Sequence, residues 1–90
     1  MKVTYEVSNR GEGRGEVLAL EGDRLVLVGQ GTYAPGAPLA LQITCGDESR
    51  LIEGKSQGSK RHTEGRFQLR LRIHNIRRED RAWLKQILRA

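Results

Sequence analysis

Apolar and polar positions alternate from the start of the chain: Val3, Tyr5 and Val7 fall on one face, and Lys2, Thr4 and Glu6 on the other. A period of two is that of a strand with one buried face. Residues 8–15 are polar and glycine-rich and read as a turn. Two short apolar runs follow, Val17-Leu18-Ala19-Leu20 and Leu25-Val26-Leu27-Val28, separated by Glu21-Gly22-Asp23-Arg24. Their brevity, with Gly-Asp between them, predicts a hairpin of two strands. Residues 29–38 hold three glycines and both prolines, the composition of a loop. Leu39, Leu41, Ile43 and Cys45 then alternate with Ala40, Gln42 and Thr44 as a fourth strand. A turn over 46–49 leads to a fifth strand over 50–56, and 57–65 reads as a loose polar connection. The sixth strand is the clearest: Phe67, Leu69, Leu71 and Ile73 face the core, while Gln68, Arg70, Arg72 and His74 face away.

After His74 the period lengthens. Trp83, Leu84, Ile87 and Leu88 recur at helical spacing and form one apolar stripe. Asn75 is placed to cap such a helix, and Glu79 and Asp80 would lie in its early turns, where the dipole favours negative charge. The expected architecture is all-β: one domain over 1–90, a small six-stranded antiparallel barrel whose C-terminal amphipathic helix covers a mouth or face of it.

Composition narrows the function classes. A chain of 90 residues buries only roughly 60% of the surface its unfolded form exposes, which favours a surface groove over an internal active-site cavity. No apolar run approaches the ~20 residues that span a bilayer, and the alternating N-terminus does not have the form of a signal peptide. The single cysteine, Cys45, cannot close an internal disulfide, so the expected compartment is the cytoplasm. Sixteen basic against 11 acidic residues give a net charge of +5, which suits an acidic partner.

Little of the chain suggests catalysis. Gly54-Lys55-Ser56 lacks the earlier glycine of a phosphate-binding loop, since position 49 is Ser49, and lacks a following helix. His62 and His74 have no second ligand at metal spacing, and Cys45 shares the inward face of its strand. The expectation is a non-enzyme with no metal and no cofactor. The basic residues carry more information. Arg70, Arg72 and His74 project from one strand face, Lys60, Arg61 and His62 precede that strand, and Arg10, Arg14 and Arg24 sit on early turns. A single-strand nucleic-acid binder interleaves aromatics with such charge. Here Tyr5, Phe67 and Trp83 fall on core faces, which leaves only Tyr33 in a loop and argues against nucleic acid as the partner.

Residues 15–27, the stretch Tyr33-Ala34-Pro35-Gly36-Ala37-Pro38 with its following strand, and the closing strand and helix over 67–84 together resemble the PilZ domain family. The resemblance covers nearly the whole chain and rests on pattern and order. It implies a six-stranded barrel and, in many members, a receptor for cyclic di-GMP. Such receptors use an Arg-x-x-x-Arg stretch before the first strand and an Asp/Asn-x-Ser-x-x-Gly segment in the central hairpin. Only Met1 and Lys2 precede the first strand here, and Ala19, Glu21 and Arg24 stand where the second signature has its carboxylate or amide, serine and glycine. Arg10 and Arg14 have the spacing of the arginine signature but follow the first strand. The resemblance therefore implies a degenerate member without the usual nucleotide, acting as an adaptor by protein–protein contact in a pilus, motility or other regulatory assembly. The candidate partner surface is Lys60, Arg61, His62, Arg70, Arg72 and His74. The alternative is a receptor that holds cyclic di-GMP or another anionic nucleotide through Arg10, Arg14, Arg24 or the basic row of Arg70, Arg72 and His74.

Overall fold

The computed structural model describes residues 2–11 and 13–89; Met1, Glu12 of the first turn and Ala90 lie outside the described residues. Six strands, β1 (Val3–Val7), β2 (Arg14–Glu21), β3 (Arg24–Gln30), β4 (Pro38–Cys45), β5 (Glu48–Thr63) and β6 (Arg66–Ile73), precede one helix, α1 (Arg78–Leu88). The strands close into a barrel in the order β1-β2-β3-β6-β5-β4, every neighbouring pair antiparallel. Closure pairs strands that would otherwise offer free edges.

The alternation seen in the sequence becomes the inside and outside of this barrel. Leu25, Leu27, Leu41, Ile43 and Leu71 point inward and are wholly buried, with Val3, Tyr5, Val7, Val17, Ile52, Leu69 and Ile73 around them. A barrel of so few strands has room inside only for its own side chains. Burial of each large aliphatic side chain stabilises the fold by about 1.5–3 kcal/mol. Close strand contact also sets residue choice. Gly54 lies on the inward parity of β5, opposite Ile73, and a Cβ there would run into the Arg72 carbonyl oxygen. Its glycine serves strand packing within Gly54-Lys55-Ser56, which is flat β-strand and cannot wrap a phosphate.

The helix closes the end of the barrel that carries the β2–β3 and β4–β5 turns. Trp83 and Leu84 are buried there, and Ile87 and Leu88 are half-buried against the core. Arg81 Nη1 donates to the Gly22 carbonyl oxygen at 3.4 Å. Arg50, at the start of β5, holds the first turn: Nη1 reaches Asp80 Oδ1 and the Glu79 carbonyl oxygen, each at 3.2 Å, and its guanidinium lies 4.9 Å from the Trp83 ring centroid.

Several boundaries differ from the sequence reading. Asn75 is not the N-cap. It takes a left-handed φ of 47°, a conformation asparagine tolerates, and so turns the chain out of β6. The cap position falls to the extended Arg77, which makes no side-chain capping bond. Residues 57–63 are not a loose connection but the second half of β5, joined to β6 by the two-residue turn Glu64-Gly65. Phe67 has inward parity yet is half-buried at the opposite, uncovered mouth, beyond the packed core. Tyr33 is not free in its loop: it is half-buried against the core, with its hydroxyl at the Gly13 backbone.

Candidate functional site

Strand β6 sorts its residues by parity: Leu69, Leu71 and Ile73 face in, and Arg70 and Arg72 face solvent. Pairing then adds what no single strand reveals. Arg72 lies opposite Arg24 on β3 and opposite Lys55 on β5, so three cations stand side by side across three strands. With neighbouring strands about 4.8 Å apart, the row is roughly 10 Å wide. Like charges directly opposed repel. Some relief comes from Glu21, opposite Arg24 on β2, and from Asp23, whose Oδ2 accepts from Arg72 Nε at 3.3 Å, but both side chains of that pair are about half exposed and it is a weak one.

Beside this row the ladder breaks. Between Ser56 and Ser59 the β5–β6 register shifts, leaving Gln57 and Gly58 as a bulge. Gly58 has φ 99°, in the region glycine adopts without steric cost. The β3–β4 loop is strapped against the bulge. Tyr33 N donates to Ser59 Oγ at 3.1 Å, Gly58 N to Ser56 Oγ at 3.0 Å, and Ser56 Oγ to the Tyr33 carbonyl at 3.4 Å. Gly36 N donates to the Ser56 carbonyl at 2.7 Å, and Ser56 N to that of Ala37 at 2.9 Å. These bonds satisfy Ser56, which is only 2% exposed. Loop, bulge and β6 enclose an open groove of about 380 Å³ lined by Pro35, Gln57, Gly58, Ser59, Lys60, Gln68 and Arg70.

Of the surface expected from sequence, the fold brings together Lys60, Arg70 and Arg72. It separates the others. Arg61 lies opposite Phe67 near the uncovered mouth, and His62 is exposed one residue further along. His74 is not a solvated histidine. It is half-buried, its Nε2 is sealed from solvent without a hydrogen-bond partner, and it lines a smaller pocket with Asn9, Glu53 and Lys55. The alternative nucleotide set is also divided. Arg10 and Arg14 lie at the uncovered end, whereas Arg24 lies at the helix end, the full length of β2 away. The pocket at Arg14 includes Glu6, its register partner on β1, which opposes an anion there.

Sequence reasoning missed Lys55 and assigned Arg24 to another set. Lys55 does alternate outward with Glu53 along β5, but its place beside Arg72 depends on pairing between strands, which periodicity does not encode. The aromatics lend the basic face no stacking surface. Tyr5 is 3% exposed; burial, with a further push from Tyr33 against an opposing pull from Arg66, raises its hydroxyl pKa to about 12. The Tyr33 hydroxyl is also raised, by burial, and the Gly13 backbone partly offsets that.

Among the described residues no three His, Cys, Asp or Glu side chains converge where they could hold a metal ion, and no helix is long and apolar enough to cross a membrane. What the outer face of β3, β6 and β5 offers chemically is a set of charge-assisted donors to an anion, flanked by the amide side chains of Gln57 and Gln68. No family model, curated protein or solved structure matches the chain.

Proposed function

We propose that this chain is a non-catalytic recognition barrel that binds an acidic protein partner on the outer face of β3, β6 and β5. The observation that carries this reading is the cross-strand row Arg24, Arg72 and Lys55, continued by Arg70 and Lys60, with one carboxylate among the described residues, Asp23, in an ion pair with it and a second, Glu21, in register with Arg24. Opposed cations cost stability in the free protein, and an anionic partner turns that cost into affinity and a faster encounter.

The PilZ resemblance fits this role as a degenerate adaptor working in the cytoplasm, within a pilus, motility or other regulatory assembly. Ala19, Glu21 and Arg24 replace the second nucleotide signature. The distance between Arg24 and the pair Arg10 and Arg14 disfavours their joint use on one small ligand. The test is an amide NMR titration of isotope-labelled protein with cyclic di-GMP, run beside capture of the partner by wild type and by Arg70→Glu/Arg72→Glu. Silence toward the nucleotide, with partner recovery lost in the double variant, is the expected result. Saturable shifts at Arg10 and Arg14 would replace the adaptor with a nucleotide receptor.

A further inference from the structure

The groove beside the β5 bulge narrows the partner to a chemical form. Lys60 and Arg70 flank it, both exposed, and neither makes an ion pair with any carboxylate among the described residues. Asp23, on the neighbouring turn, is engaged by Arg72. Gly58 contributes no side chain to the groove, and Pro35 stands over it close enough that a Cβ on Gly58 would lie 3.3 Å from Pro35 Cγ. The β3–β4 loop thus forms one wall of the groove, and β6 runs along the other. Arg70 and Arg72 are same-face neighbours on one strand, roughly 6.8 Å apart, and an extended peptide repeats its own same-face side chains at that interval.

Resting on the recognition reading above, we infer that this groove takes an extended acidic segment of a protein, with one carboxylate between Lys60 and Arg70 and the next same-face carboxylate on Arg72. Gln57 and Gln68 supply amide groups for the segment's backbone. Single-stranded nucleic acid is the competing polyanion, and it draws its affinity from base stacking as well as charge. Tyr5 and Trp83 are buried, Tyr33 is turned toward Gly13, and Phe67 lies on the parity of β6 opposite to Arg70. The face presents charge at peptide spacing and no aromatic platform.

The experiment titrates the full labelled chain with a capped peptide alternating Glu and Gly, with its Gln-for-Glu counterpart, with oligothymidylate and with inorganic phosphate. Saturable amide shifts over 57–60 and 70–72 are expected from the Glu peptide alone. Lys60→Glu/Arg70→Glu should weaken that binding about tenfold or more, with the variant's fold verified by Trp83 fluorescence. Arg78→Glu/Lys85→Glu, which makes the same change in net charge on the exposed helix, should leave it unchanged. Equal weakening by both pairs overturns the groove in favour of bulk charge, as does equal binding of the Gln peptide. Stronger shifts of the same amides by oligothymidylate overturn the peptide and with it the protein partner; phosphate alone reproducing them overturns the extended segment. Shifts confined to Arg24, Lys55 and Arg72 overturn the groove while leaving the recognition face standing.

Discussion

Arg50 is the side chain that fastens the helix to the barrel, and its removal gives a sharp prediction. Its guanidinium is 30% exposed and pairs with Asp80, 23% exposed, at 3.2 Å, while also donating to the Glu79 carbonyl and stacking on Trp83 at 4.9 Å. The shielded ion pair contributes about 1 kcal/mol, the upper end for surface pairs, and the cation–π contact about 0.5–1 kcal/mol. The ion pair with Glu48 at 3.5 Å, 61% exposed on the acid side, adds little. Arg50→Met, which keeps the apolar stem, should therefore lower stability by about 2 kcal/mol, part of it from Asp80 left without its cation. Arg50→Lys keeps the charge but not the planar fork or the stacking, and should lose about 1 kcal/mol. The assay is urea unfolding followed by fluorescence of Trp83, the only tryptophan in the chain. A double-mutant cycle with Asp80→Asn isolates the pair. If Arg50→Met falls within about 0.5 kcal/mol of wild type, the helix is held by Trp83 and Leu84 burial alone and the latch reasoning fails.

Gly54→Ala should cost about 2 kcal/mol by forcing a Cβ against the Arg72 carbonyl; an unchanged urea midpoint would show that β5 and β6 can part without penalty. Leu71→Ala, at a wholly buried position, should cost about 3 kcal/mol, read from the same unfolding curve. The raised Tyr5 pKa gives an alkaline limb. Its neutral form is favoured by the fold, so the full contribution is present below pH ~10, and stability declines as pH rises from 10 toward about 12. Two pK units correspond to about 3 kcal/mol, and Tyr5→Phe should flatten that decline in pH-dependent unfolding; a decline of the same slope in the variant would assign it to other groups.

The strands with an apolar face were legible because alternation and burial are one fact seen twice. Val3, Tyr5 and Val7, or Leu69, Leu71 and Ile73, can fill a barrel only from one side of their strand. The helix was legible from Trp83, Leu84, Ile87 and Leu88, but its start was not. Asn75 suits an N-cap and a left-handed turn for the same reason, a short side chain able to satisfy nearby backbone, and the tight exit from β6 decides between them. Tyr33 and Phe67 misled for a related reason, since parity and loop position say which way a side chain points but not what lies above it. The candidate site was legible only in its β6 half. Arg70 and Arg72 follow from period two, whereas their neighbours Lys55, Arg24 and Lys60 are set by register and by a bulge.

The same stretch that reads as loop is the one that makes the groove. Residues 57–63 have no large apolar side chain with which to anchor a strand, so burial cannot be what orders them. Their order comes from pairing with β6 and, around the bulge, from the strap of Ser56 and Ser59 to the β3–β4 loop. Beyond Lys55, β5 pairs with β6 but has no register partner on β4, and Lys60, Arg61 and His62 keep that edge charged, a known means of preventing pairing with other chains. Edge protection alone accounts for the charge of these residues. It does not account for Gly58, at φ 99° in a bulge beneath Pro35, lining a groove with Arg70. Bulges that re-aim side chains recur beside binding sites. The local conflict between sequence pattern and fold therefore falls where the cations are unpaired, as expected if the strand is shaped for a partner as well as for the barrel.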